Sequence, residues 1–139
     1  FDNKLWNIAR FVLMSVPEDA SDIAGAPLTA EDEKILADMR NFVKGITEHM
    51  DNYRLYLAAD EIYHYVWHTF ADKIIEESKA KLASEDPAVK ASAQRMLLEM
   101  LTTSLKLLHP FMPFITEELY SKLPLKNKKM LLVEDWPMI

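Results

Sequence analysis

The sequence predicts an all-α protein: an antiparallel four-helix bundle with a short fifth helix and an irregular or short-strand C-terminal tail. Three observations predict it. Half of the 139 residues are hydrophobic but only two are glycine, which leaves little of the turn punctuation a sheet needs. Apolar residues recur at three- and four-residue spacing through four long stretches. Modest loops join those stretches, and an antiparallel bundle is the natural packing for helices so connected. The length suits one domain with a real core, taken here as 1–139 with the bundle over 1–123 and the tail over 124–139.

The first helix is predicted over about 1–16. Phe1, Leu5, Ile8, Ala9, Val12 and Val16 share one face, with Asn3, Asn7, Arg10 and Met14 opposite. Residues 17–28 are rich in Pro, Gly, Ala and acids and read as a surface loop. Thr29 has the form of an N-cap with acids in the following turn, and it opens a second helix striped by Ile35, Met39, Phe42, Val43, Ile46 and Met50. This helix frays near Asp51 and Asn52. The third helix, about 53–82, is the longest, with an apolar arc of Ala59, Ile62, Tyr63, Val66, Trp67, Phe70 and Ile74.

Asp86 and Pro87 open the fourth helix as N-cap and first helical residue. Its arc is wide, running through Val89, Ala93, Met96, Leu97, Met100, Leu101, Leu105 and Leu108, and predicts a helix covered on two sides. Pro110 stops it after His109, and Pro113 suits the first turn of the fifth helix, about 113–123. The two prolines fix a sharp apolar corner. A basic knot, Lys126 to Lys129, then precedes the apolar run 130–133, short enough for an edge strand, and the segment Glu134-Asp135-Trp136-Pro137. That knot could touch phosphate or could simply solubilise a turn.

The absence of cysteine excludes disulfides and Cys-type zinc sites. No window approaches the ~18 apolar residues of a membrane span, and no signal peptide is visible. Phe1 is not an initiator methionine, so the expectation is a piece of a larger, cytoplasmic protein. Sixteen basic against twenty-two acidic residues give a formal net charge of −6, which argues against a chain that wraps nucleic acid unaided. Local contacts remain open. Glu61, His64, His68 and Asp72 carry the Glu-x-x-His spacing of bundle metal sites. No other helix offers a second such motif, and these four fall on the wet face, so they read as solvated side chains. The serines lack a nucleophile elbow, and there is no Gly-rich phosphate loop. No catalytic site is expected, and no metal.

Binding is the remaining class. Asn3, Asn7 and Arg10 fall on the non-core face of the first helix, with Phe11 just off the apolar arc near Lys4. An aromatic beside amide and guanidinium groups can stack on and hydrogen-bond unpaired bases. A polar stripe that is merely wet is the plainer reading. Lys79 and Lys81 close the third helix, where they suit its dipole. They also reach an end where a ligand could meet Arg10, Phe11, Lys79 and Lys81 together.

The segment LHPFMPFITEELY, 108–120, strongly resembles the L-x-P-F-x-P-F-x-x-E-E-[LIV]-[WY] signature of the anticodon-binding domain in class I aminoacyl-tRNA synthetases for valine, isoleucine and leucine. FDNKLWNIARFVL, 1–13, is similar to the opening of that domain in the valyl branch. DEIYHYVWHTFADKIIEESK, 60–79, resembles its third helix, and LLVEDWP its strand and Trp-Pro exit. The ordered set covers nearly the whole chain. The chain carries Lys73-Ile74 where the family often has Trp-Tyr, and the His-x-Gly-His and Lys-Met-Ser-Lys-Ser motifs are absent.

The resemblance implies a domain that grips the anticodon arm of valine tRNA. ATP, magnesium, aminoacylation and editing would then belong to other domains of the parent ligase, and this chain would need no cofactor. It implies RNA contacts from Lys4, Asn7, Arg10, Phe11, Lys79 and Lys81, with Trp6 packing rather than binding. The alternatives are the corresponding leucyl- or isoleucyl-tRNA synthetase domain, a helical protein-interaction module and, more weakly, a metal-binding bundle.

Overall fold

The computed structural model describes residues 2–125 and 128–137. Phe1, Lys126, Asn127, Met138 and Ile139 lie outside the described residues, and with them parts of the expected first-helix face and basic knot. Among the described residues every regular element is helical.

Leu5, Ile8, Ala9 and Val12 are buried along α1, Asp2–Ser15. The expected loop after it contains one short helix, α2, Ser21–Ala24, because Ile23 finds cover in the core and pulls a turn of backbone with it. Helix α3, Ala30–Asp51, begins where the cap places it: Thr29 Oγ1 accepts from Asp32 N at 3.2 Å. Tyr53 takes a positive φ of 61° at the turn that follows. Such a backbone is uncommon for a bulky residue. The chain then reverses into a long rod.

That rod is three segments rather than the single α-helix expected. They are α4 (Leu55–His64), a π-helical stretch (Tyr65–Ile75) and α5 (Glu76–Leu82). Its buried line is Ala58, Ile62, Val66, Phe70, Ile74 and Ser78, one residue in every four. Tyr63 and Trp67, expected in the apolar arc, sit on its exposed shoulder at 38% and 36% exposure. A π-helix winds more slowly than an α-helix, so its four-residue steps turn back the drift that the flanking α segments build up.

Helix α6, Pro87–Leu108, is capped by Asp86, whose carboxylate accepts from Ala88 N at 2.9 Å. It runs through the middle of the molecule and touches α1, α2, α3, α4, α5 and α7. The wide apolar arc is thus covered from several sides, with Met96, Leu97, Met100, Leu101, Leu105 and Leu108 fully buried. Gln94 donates to the Ser15 carbonyl at 2.8 Å, which sets the end of α1 beside the start of α6. Thr29 N donates to Ser92 Oγ at 2.9 Å, which sets the start of α3 there too.

The proline corner forms as the sequence predicts. Met112 N returns to the Leu108 carbonyl at 2.9 Å, and Pro113 opens α7, Pro113–Ser121. His109 Nδ1 lies 2.8 Å from Thr116 Oγ1 and ties the two helices across the corner. In the tail, Leu131–Val133 is a 3-10 turn, not an edge strand, and Trp136 donates from Nε1 to Thr47 Oγ1 at 2.8 Å. A free sheet edge would leave backbone groups unpaired, and no neighbouring strand exists among the described residues to accept them. Lys128 donates to the carbonyls of Ser121 and Leu123 at 2.6 and 2.9 Å, so this member of the basic knot caps α7. No helix among the described residues is long and apolar enough to cross a membrane.

Candidate functional site

Helix α1 is a ridge with a buried base and two different flanks. Lys4 and Phe11 are seven residues apart, about two helical turns, and share the flank that faces the rod. Trp6 and Leu13 share the other flank, facing α7, by the same spacing. Asn3, Asn7 and Arg10 are exposed along the crest.

The rod flank carries two pairings of a cation with an aromatic ring. Lys4 Nζ lies 4.9 Å from the centre of the Trp67 ring and 3.1 Å from Asp72 Oδ1. Further along, Lys79 Nζ lies 5.9 Å from the centre of the Phe11 ring and 2.9 Å from Glu76 Oε1. The groove therefore alternates rings and ammonium groups along its length. That alternation can stack bases and attract phosphate. The carboxylates of Asp72 and Glu76 hold the lysines in place. Each can also accept from a base amino group.

The structure brings Phe11 and Lys79 together and sends the other two members of the expected tip elsewhere. Arg10 leans toward α7, where it lines a small cavity with Trp6 and Lys122. Lys81 turns inward. Two residues apart on a helix means roughly 200° of rotation, so Lys79 and Lys81 cannot serve one surface. Lys81 Nζ lies 2.8 Å from Asp32 Oδ1 and 2.9 Å from Glu31 Oε1, and its side chain is 14% exposed. Asp32 is fully buried, and Ser92 donates to its second oxygen at 2.6 Å. Burial by itself lowers the pKa of the Lys81 ammonium, but the hydrogen bonds and charges of Asp32 and Glu31 outweigh it and hold the group above its ordinary 10.5.

Glu61, His64, His68 and Asp72 lie on the exposed side of the rod. Their partners are ordinary: Glu61 with His49 at 3.2 Å, His64 with Asp60 at 3.6 Å, and His68 with Asp72 at 3.6 Å. Among the described residues no group of three or more His, Asp or Glu side chains could hold a metal. Sequence reasoning missed the Lys4–Trp67 and Lys4–Asp72 contacts and the place of Lys122 beside Arg10. Nothing local signals them, since each joins residues more than sixty positions apart.

The family described as the anticodon-binding domain of tRNA ligase matches residues 32–138. The valine–tRNA ligase of Fervidobacterium nodosum is 41% identical over 140 residues, and that of Thermotoga maritima 40% over 139. In both the match takes in 100% of this chain and 16% of the relative. The valine–tRNA ligase of Carboxydothermus hydrogenoformans is 41% identical over 138 residues, with 99% and 16% covered. The chain thus spans about a sixth of the length of these relatives.

Proposed function

The chain belongs to the anticodon-binding domain family of tRNA ligases, and on that premise we propose that it holds the anticodon arm of valine tRNA for a valine–tRNA ligase. The observation that carries this reading is the groove between α1 and the rod, where Phe11 meets Lys79 and Trp67 meets Lys4. Phe11 stacks on an unpaired base and Lys79 approaches the adjoining phosphate. Lys4 exchanges Asp72 for a phosphate or base edge. Asn7 and Arg10 add polar contacts from the crest. Lys81 acts at one remove, by fixing the end of the rod on which Lys79 sits.

The four long helices act as an antiparallel four-helix bundle with α7 as a fifth, and the described residues of the tail brace it, through buried Leu131 and the Trp136–Thr47 hydrogen bond. The bundle is a non-catalytic bracket of one domain. ATP and magnesium serve a catalytic portion of the parent enzyme, in the cytoplasm. Grip on the anticodon arm supplies binding energy far from the reacting atoms, which can orient the acceptor end. An acidic chain can do this because Lys4 and Lys79 both stand in one groove, while other domains supply further phosphate contacts.

Titration of the chain with valine tRNA and a non-cognate tRNA at low salt tests this. Binding should be weak and should fall steeply with salt. Phe11→Ala should cost about 1–3 kcal/mol of affinity, the worth of one base–aromatic stack. Lys79→Ala should reduce the salt slope by about one. Wild-type affinity and slope in both variants would remove the groove from the RNA site.

A further inference from the structure

The second flank of α1 holds a cavity of about 200 Å³ that the groove does not use. Trp6, Leu13, Met14 and Leu119 give it apolar walls, and Arg10 and Lys122 stand at its edge. Trp6 is half-buried against the core, and among the described residues its indole N–H has no protein acceptor. Arg10 has no ion-pair partner among the described residues, and Lys122 has only an exposed Glu118 at 3.5 Å. Met14 is 81% exposed and can fold over a bound group. Apolar walls favour a flat ring, and two cations favour an attached anion. An indole donor nearby suits a base edge or a phosphate oxygen.

We propose that this cavity takes one unstacked nucleotide of the bound RNA, with the base against Trp6 and Leu13 and its phosphate between Arg10 and Lys122. The inference rests on the RNA-binding reading and extends it. The RNA straddles α1, using the rod groove on one flank and this cavity on the other. A space of this size has room for one base. A membrane is a poor fit, because the crest beside the cavity is polar, with Asn3, Asn7 and Arg10 exposed.

The test follows the Trp6 indole resonance by NMR in the whole 139-residue chain. Nucleoside 5′-monophosphates at millimolar concentration should shift it in a saturable way, and inorganic phosphate or the bare nucleosides should do so far more weakly. Arg10→Gln with Lys122→Gln should weaken the monophosphates about tenfold. Phe11→Ala should leave their binding unchanged while lowering tRNA affinity, which separates this cavity from the groove. The tRNA complex should shift Trp6 as the monophosphates do. A Trp6 signal indifferent to every monophosphate would overturn the proposal while leaving the groove standing. So would equal shifts from inorganic phosphate, which indicate a plain anion site. Binding of free monophosphates with no response to tRNA would likewise refute it, as that places a small molecule here and not RNA.

Discussion

Lys79 and Lys81 are near neighbours with opposite work. Lys79 is half-exposed beside Phe11 and Glu76, where solvent screens its charge. Lys81 closes a network in which Asp32, fully buried, has both oxygens engaged by Lys81 and Ser92. Removing one partner of a buried pair leaves the other charge uncompensated, a cost of about 3–5 kcal/mol. Lys81→Met should therefore lower the free energy of unfolding in urea by about that much. Lys79→Met should change it by about 1 kcal/mol or less. Similar small losses from both would mean that Asp32 keeps another partner or reaches water when Lys81 is gone. The spacing of the two lysines already sets them roughly 200° apart on a helix, but it does not say which of them turns inward. The separation follows from the rotation between them and from which neighbour each one meets.

At the scale of the element, the rod depends on its π-helical stretch. In an α-helix each four-residue step turns the side chain by about 40° more than a full circle, so Ala58 and Ser78 would differ by about 200°. Both are nevertheless fully buried against the same core. The π stretch between them, Tyr65–Ile75, takes up the difference. Ala58→Asp and Ser78→Asp should both destabilise strongly, by several kcal/mol, because each buries an unpaired carboxylate. A rod that was α-helical throughout would leave one of the two sites on the surface and tolerant, and denaturation of the two variants tells these cases apart. The same winding lets Lys4 reach Trp67 and Lys79 reach Phe11 along one groove. The helix itself was legible in the apolar spacing of residues 59–74. Its winding was not, because π turns have no propensity signature strong enough to outweigh α, and packing against α6 selects them.

For the whole molecule, stability at high pH should reflect groups from separate regions, Lys81 and Tyr120 among them. Lys81 binds its proton more tightly in the fold than in the open chain, so its contribution is complete below about pH 10.5 and disappears as the pH rises through its raised value. The Tyr120 phenol is pushed up to about 12 by burial and then by the Glu134 and Glu117 carboxylates. It stays neutral in the fold while the open chain ionises from about pH 10, so it too favours folding less as pH climbs. The free energy of unfolding should be level near neutrality with respect to these groups and should fall between about pH 10 and 12. Tyr120→Phe should make that fall shallower, as read from denaturation curves across the range. An unchanged slope would remove Tyr120 from the account. The sequence by itself determined the helical class, the caps at Thr29 and Asp86, the proline corner and the polar crest of α1. Caps, prolines and apolar periods act over a few residues, so one stretch of chain contains all the physics they need. Only the tertiary structure decided that Phe11 meets Lys79, that Arg10 and Lys122 line one cavity and that Lys81 turns inward. Those outcomes depend on helix rotation and on neighbours brought together from distant parts of the chain, and no short stretch of residues encodes them.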